Sequence, residues 1–207
     1  NSLSPFVRKV IVFAAEKGLP LEVKQVAPGG DDAAFRAMSP FGKIPALSDG
    51  DYKLCDSSAI VHYIEAKHPT PALIPAEAQD RGRAVWFDEF ADTILLVPGG
   101  KIFFNRIVAK LLGRPADPAA ADEAQATELP PVLAWLETQI PASNFLVGDA
   151  FSLADIAVGS LLVNLGHANA APDPATYPKL AAYRDAIHAR PSFAAVIAAE
   201  RGFLGIA

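Results

Sequence analysis

A single cysteine, Cys55, stands in 207 residues. That excludes an intramolecular disulfide and a metal cluster built from cysteines. Histidine is nearly as scarce, with four scattered residues and no pair at metal-ligand spacing, so no metal site is expected. No basic run occurs and the net charge is −5, which gives nucleic acid no general attraction. Long apolar runs are missing as well: charge or proline breaks each one well short of the roughly 20 residues of a membrane helix. Arg8, Lys9, Glu16 and Lys17 interrupt the first apolar segment, unlike a signal peptide. Neither an internal repeat nor an extreme composition is present: 51% of residues are hydrophobic and 20% charged, enough apolar material for one large core or two small ones. The expectation is a soluble cytoplasmic protein with no membrane and no nucleic-acid partner.

The first third of the chain mixes two structural periods. Residues 5–17 read as a helix with Val7, Val10, Ile11, Ala14 and Ala15 on one apolar face. Ser4 suits its N-cap, Pro5 its first turn and Gly18 its end. Arg8 and Lys9 read as solvated charges on that helix, although one could line a cleft. Leu21, Val23 and Gln25 alternate with charged neighbours and predict a short strand. Asp31 to Met38 predicts one or two helical turns. Residues 44–47 and 52–54 flank Ser-Asp-Gly-Asp, a hairpin signal. Ser57 to Ala66 predicts a helix, which His68-Pro69-Thr70-Pro71 stops.

From about residue 77 no strand pair is visible. Helices are predicted over 77–111, 120–140, 153–168, 178–189 and 192–200, the first with a bend near Pro98-Gly99-Gly100. The shift near residue 70 predicts two domains: α/β over 1–70, all-helical over 77–207. Ser152 to Asp155 matches a capping box ahead of an apolar run, a structural device that fixes the start of a buried helix.

Four motifs stand in order along the chain: Ser-Pro-Phe-Val-Arg-Lys-Val at 4–10, Phe-Gly-Lys-Ile-Pro-Ala-Leu at 41–47, Leu-Cys-Asp-Ser-Ser-Ala-Ile at 54–60 and Phe-Ser-Leu-Ala-Asp-Ile-Ala at 151–157. Together they resemble the cytosolic glutathione S-transferase family over nearly the whole chain. The resemblance implies a thioredoxin-like N-terminal domain and an all-α C-terminal domain. A thioredoxin-like sheet has a strand ahead of its first helix, which places about 6–12 further residues upstream of Asn1.

The resemblance also implies a glutathione site. A helix N-terminus favours an anion and lowers the pKa of a thiol placed there. Ser4 is the expected hydrogen-bond donor to that thiolate, with Ser2 as the competing hydroxyl. Ile44–Pro45 is expected to be cis, with the Ile44 backbone pairing the cysteinyl part of glutathione like an added strand. Lys43 is expected at the glycyl carboxylate, Ser57 at the γ-glutamyl carboxylate, and Asp56 at the γ-glutamyl ammonium, from its own subunit or across a twofold axis. Cys55 reads as a strand residue, not a nucleophile. Phe6, Phe103, Phe104 and Ile107 are candidates for the electrophile pocket, although a Phe pair at helical spacing is more often core.

The implied activity is transfer of the glutathione thiolate to a small, mostly apolar electrophile, with glutathione as cosubstrate, in a detoxifying homodimer. Tyr52, the helix after it and residues 81–95 are the expected interface. The rival readings are a glutathione-dependent isomerase, dehalogenase or peroxidase on the same site, and a non-catalytic interaction module.

Overall fold

The computed structural model describes residues 2–26 and 32–206. Helix α1 spans Pro5–Glu16, capped by Ser4 at its N-terminus. It ends where Gly18 takes φ +67°, a left-handed turn that a side chain would strain, and where the Leu19 N–H returns to the Ala14 carbonyl. Helix α2, Ala33–Met38, starts on Asp32, whose carboxylate accepts from the Phe35 N–H. Asp31, the predicted start, lies outside the described residues.

Strands β1 (Ala46–Asp49) and β2 (Tyr52–Cys55) form an antiparallel pair in which Ala46 faces Cys55 and Asp49 faces Tyr52. The tight turn is Gly50-Asp51, with Gly50 at φ +58°. The predicted strand at 21–25 is absent: residues 21–26 are irregular, and the described sheet holds β1 and β2 alone. Alternating side chains do not hold a strand that has no neighbouring ladder to bond. Helix α3, Ser57–Lys67, follows β2 directly.

A long helical run then extends from Ala78 to Leu111. It comprises α4 (Ala78–Phe90), a π-helical turn (Ala91–Leu95), α5 (Leu96–Phe103), a second π turn (Phe104–Val108) and α6 (Ala109–Leu111). The run continues through Pro98; the first π turn, just upstream, takes up the backbone irregularity that a ring without an N–H imposes. Helix α7 (Pro118–Glu123) passes through a third π turn (Ala124–Glu128) into α8 (Leu129–Gln139). Helices α9 (Leu153–His167), α10 (Pro178–His188) and α11 (Pro191–Leu204) complete the fold.

Helix α9 is buried on nearly every side, as an apolar-all-round helix must be, and packs against α1, α4, α5 and α10. Asp155 fixes its start. One carboxylate oxygen accepts from the Ser152 N–H (3.0 Å), the other from the Leu146 N–H (2.9 Å) and the Tyr183 hydroxyl (3.0 Å). One contiguous apolar core runs from Leu3 and Phe13 through Ile60 and Phe87 to Leu162 and Phe193, so the α/β part and the helical part share it. No helix among the described residues is long and apolar enough to cross a membrane.

Candidate functional site

Ser4 sits half-buried at the positive end of α1, in extended backbone geometry. Its Oγ accepts from the Val7 N–H at 3.5 Å, a long bond at the limit of the useful range. Capping uses an oxygen lone pair and leaves the hydroxyl proton to donate elsewhere. The competing residue Ser2 lies near the buried Glu200 carboxyl and contributes to lowering it.

The loop from Ser39 to Pro45 presents the second group of residues. Gly42 turns it at φ +65°, its N–H bonded to the Ser39 carbonyl (2.9 Å), while the Ser39 hydroxyl donates to the Lys43 carbonyl (2.7 Å). The Lys43 side chain is exposed and the Ile44–Pro45 peptide is cis. Since Ala46 pairs with Cys55, Pro45 and Asp56 stand at the same end of the ladder. The register thus brings the loop beside the start of α3.

Asp56 caps α3 from an unusual backbone position, φ 80° and ψ 130°. Its Oδ1 accepts from the Ser58 N–H (2.9 Å) and the Ala59 N–H (3.1 Å). A non-glycine residue held there stores roughly 1–3 kcal/mol of strain, and such residues cluster at binding sites. The cap does not take up the N–H of Ser57, the first residue of α3, and the Ser57 side chain is buried at the same end of the helix. An anion arriving here meets N–H groups and the positive end of a helix.

Lys9 joins these pieces, against the expectation that Arg8 and Lys9 are solvated. Its Nζ reaches Ser58 Oγ (3.1 Å), Asp88 (2.6 Å) and Asp92 (2.8 Å), and only 1% of the side chain is exposed. Ser4 lies about 7.5 Å from Lys9 along the α1 axis, so Lys9 ties the start of α3 to the helix that carries Ser4. Burial raises the Asp92 carboxyl to about 6, with Lys9 opposing the rise. Arg8 is completely buried and pairs with Glu200. The signal for both was present: Val12, at 0% exposure, lies on the side of α1 away from Val7 and Val10. A helix apolar on both sides is buried, and its charges then need partners.

The electrophile candidates divide. Phe103 belongs to the core, while Phe6, Phe104 and Ile107 are half-buried. None of the four lines either of two cavities found among the described residues. The larger, of about 480 Å³, lies between α1, residues 19–26, β1 and α3. It touches the candidate site only through Ile44 and Pro45; Ser4, Lys43, Asp56 and Ser57 do not line it. Cys55 is half-buried on β2 with a free thiol.

Comparison with known proteins agrees with this architecture. Residues 2–72 match the glutathione S-transferase N-terminal domain and residues 103–200 the glutathione S-transferase C-terminal domain. The chain is 37% identical to glutathione S-transferase 3 of Zea mays over 206 residues, covering 95% of this chain and 90% of the relative. A solved apo structure of glutathione S-transferase III superposes with a TM-score of 0.80 at 34% identity, covering 96% of this chain and 94% of the other. A glutathione S-transferase from Methylobacterium radiotolerans, solved in complex with glutathione sulfonate, superposes with a TM-score of 0.76 at 30% identity, covering 95% of this chain and 91% of the other. With both domain families matched in order over most of its length, this chain belongs to the glutathione S-transferase family.

Proposed function

We propose that this protein conjugates glutathione to a small, mostly apolar electrophile, with Ser4 as the hydrogen-bond donor to the reacting sulfur. One observation carries the assignment of Ser4: its oxygen serves the α1 cap while its proton stays available at the positive end of the helix. The relative from Methylobacterium radiotolerans, bound to glutathione sulfonate, supports glutathione as the cosubstrate.

In this reading the glutathione thiol loses its proton to solvent and the thiolate accepts a hydrogen bond from Ser4. The sulfur electron pair then forms a bond to carbon. Either a leaving group departs with its own electron pair, or an activated double bond takes up a proton. The protein supplies orientation and a lowered thiol pKa. Ile44, ahead of the cis peptide, offers its backbone to the cysteinyl part of glutathione, and Lys43 meets the glycyl carboxylate. The Ser57 N–H and hydroxyl meet the γ-glutamyl carboxylate, and Asp56 meets the γ-glutamyl ammonium. Phe6, Phe104 and Ile107 offer apolar surface to the electrophile, and Phe103 supports them from the core.

The chain divides near residues 70–77 into its glutathione-binding and helical domains. A cytoplasmic, detoxifying homodimer completes the reading, supported by exposed Tyr52, Trp86 and Ile94 on the expected interface. Calorimetric titration with glutathione tests the site. Lys43→Ala and Ser57→Ala each weaken binding about tenfold, the loss of one charge-assisted contact. Unchanged affinity in both would remove these residues from the site.

A further inference from the structure

Arg8 lies on α1 just past Ser4 and is fully enclosed by α9 and α11. Its guanidinium binds both oxygens of Glu200 (3.0 and 2.7 Å), the Ser160 carbonyl (2.5 Å) and Asn164 Oδ1 (2.6 Å). His167 Nε2 meets the same Glu200 carboxylate at 2.8 Å. Arg8, Asn164, His167 and Glu200 are all buried. With its oxygen held by Arg8, the Asn164 amide can turn only its nitrogen outward, and Nδ2 donates to the Leu3 carbonyl at 3.2 Å. That carbonyl belongs to the peptide joining Leu3 to Ser4. On the other side of Ser4, its own carbonyl accepts from the Arg8 N–H at 3.0 Å. Both peptide groups that flank Ser4 are therefore pinned, one by the Asn164 side chain and one by the α1 backbone.

The direction of a side chain follows from its two flanking peptide planes. The Arg8 N–H bond to Ser4 is an ordinary helix-start bond and carries nothing particular to this site. The Asn164 bond differs: it comes from a helix far away in sequence, through a residue whose orientation a buried ion pair sets.

We propose that Asn164, oriented by Arg8 and the Glu200–His167 pair, is a positioning residue for Ser4, its amide fixing the Leu3–Ser4 peptide and with it the aim of the Ser4 hydroxyl. The proposal rests on the reading of Ser4 as donor to the glutathione sulfur. It makes the helical part of the fold a contributor to thiol activation without contact to glutathione. It also explains a buried polar network at a helix crossing that apolar side chains could have filled.

The test is a double-mutant cycle on the pKa of enzyme-bound glutathione, read as thiolate absorbance against pH in wild type, Ser4→Ala, Asn164→Leu and the double variant. Asn164→Leu keeps the size of the side chain, removes the donor to Leu3 and adds no charge. It is expected to raise the bound-thiol pKa by about 0.5–1, the effect of one misdirected hydrogen bond, with glutathione affinity within about threefold of wild type. In the double variant the rise is no larger than in Ser4→Ala alone. Should Asn164→Leu fail to fold, Asn164→Ala takes its place with the same expectation. A folded Asn164 variant with a wild-type thiol pKa, while Ser4→Ala raises it, overturns the positioning role and leaves the Ser4 reading intact. Additive rises in the double variant also overturn it, since Asn164 would then act independently of Ser4. If Ser4→Ala itself leaves the thiol pKa unchanged, the Ser4 reading fails and the positioning role with it.

Discussion

The guanidinium of Arg8 and the carboxylate of Glu200 meet in a bidentate pair, closed off from solvent, between the first helix and the last. Burial pushes the Glu200 carboxyl up, and its bonds to His167 and Arg8 outweigh that and hold it below the usual carboxylate range. Removing one partner strands the other charge in the core. Arg8→Met is expected to lower unfolding free energy by about 3–5 kcal/mol, and the double variant Arg8→Met/Glu200→Leu to recover most of the loss. Urea unfolding of the two variants against wild type checks this.

Asp92 gives the fold a pH dependence of defined sign. Its carboxyl titrates near 6 in the folded protein, raised by burial from the ordinary 3.8, with Lys9 opposing and with Asp88 and Glu89 adding to the rise. A group raised in this way contributes stability below its unfolded pKa and loses it as pH climbs through the folded value. Asp92→Asn removes the titration. The variant is therefore expected to gain on wild type by an amount on the order of 2–3 kcal/mol between pH 4 and pH 7. Denaturant unfolding at the two pH values measures the gain, and a pH-independent difference contradicts it.

Asp155 is expected to act on stability and not on chemistry. Asp155→Ala leaves the Leu146 and Ser152 N–H groups and the Tyr183 hydroxyl without their acceptor, inside the core. The expected loss is about 3–5 kcal/mol, with conjugating activity per folded molecule preserved. A fully stable but inactive variant would reverse that assignment.

Gly159 lies where α9 comes close to Ile187 of α10 and Phe193 of α11. A Cβ placed there would stand 2.9 Å from the Ile187 Cγ2 and 3.0 Å from the Phe193 ring. Gly159→Ala is expected to destabilise by about 1–3 kcal/mol, read as a lower Tm. Gly166→Ala on the same helix meets nothing within 4 Å and serves as the control.

How much of this was legible in the sequence depended on the range of the interactions involved. Ser4, Pro5 and Gly18 act within a turn of their own positions, so the bounds of α1 could be read from them. The capping box at Ser152 and Asp155 was equally local. The strand predicted at 21–25 failed because alternation is necessary but not sufficient; the ladder partner is a property of the fold. The π turn at Ala91–Leu95 has a local cause in Pro98, whereas the one at Phe104–Val108 carries no local signature. Lys9 finds Asp88, and Arg8 finds Glu200, across separations that no window along the chain can span. Only the burial of α1 could be read, from Val12 opposite Val7 and Val10, and with it the need for partners. Motif nominated Ser4, Pro45 and Ser57 for the candidate site, whereas the strained backbone of Asp56 and the bonds of the Asn164 amide required the folded chain.

The most direct test is the ionisation of bound glutathione, followed by thiolate absorbance against pH in wild type and in Ser4→Ala. A bound-thiol pKa below that of free glutathione, rising in Ser4→Ala while binding is retained, is the result this account predicts. Saturable binding with the same thiol pKa in both proteins would contradict it and remove Ser4 from the sulfur.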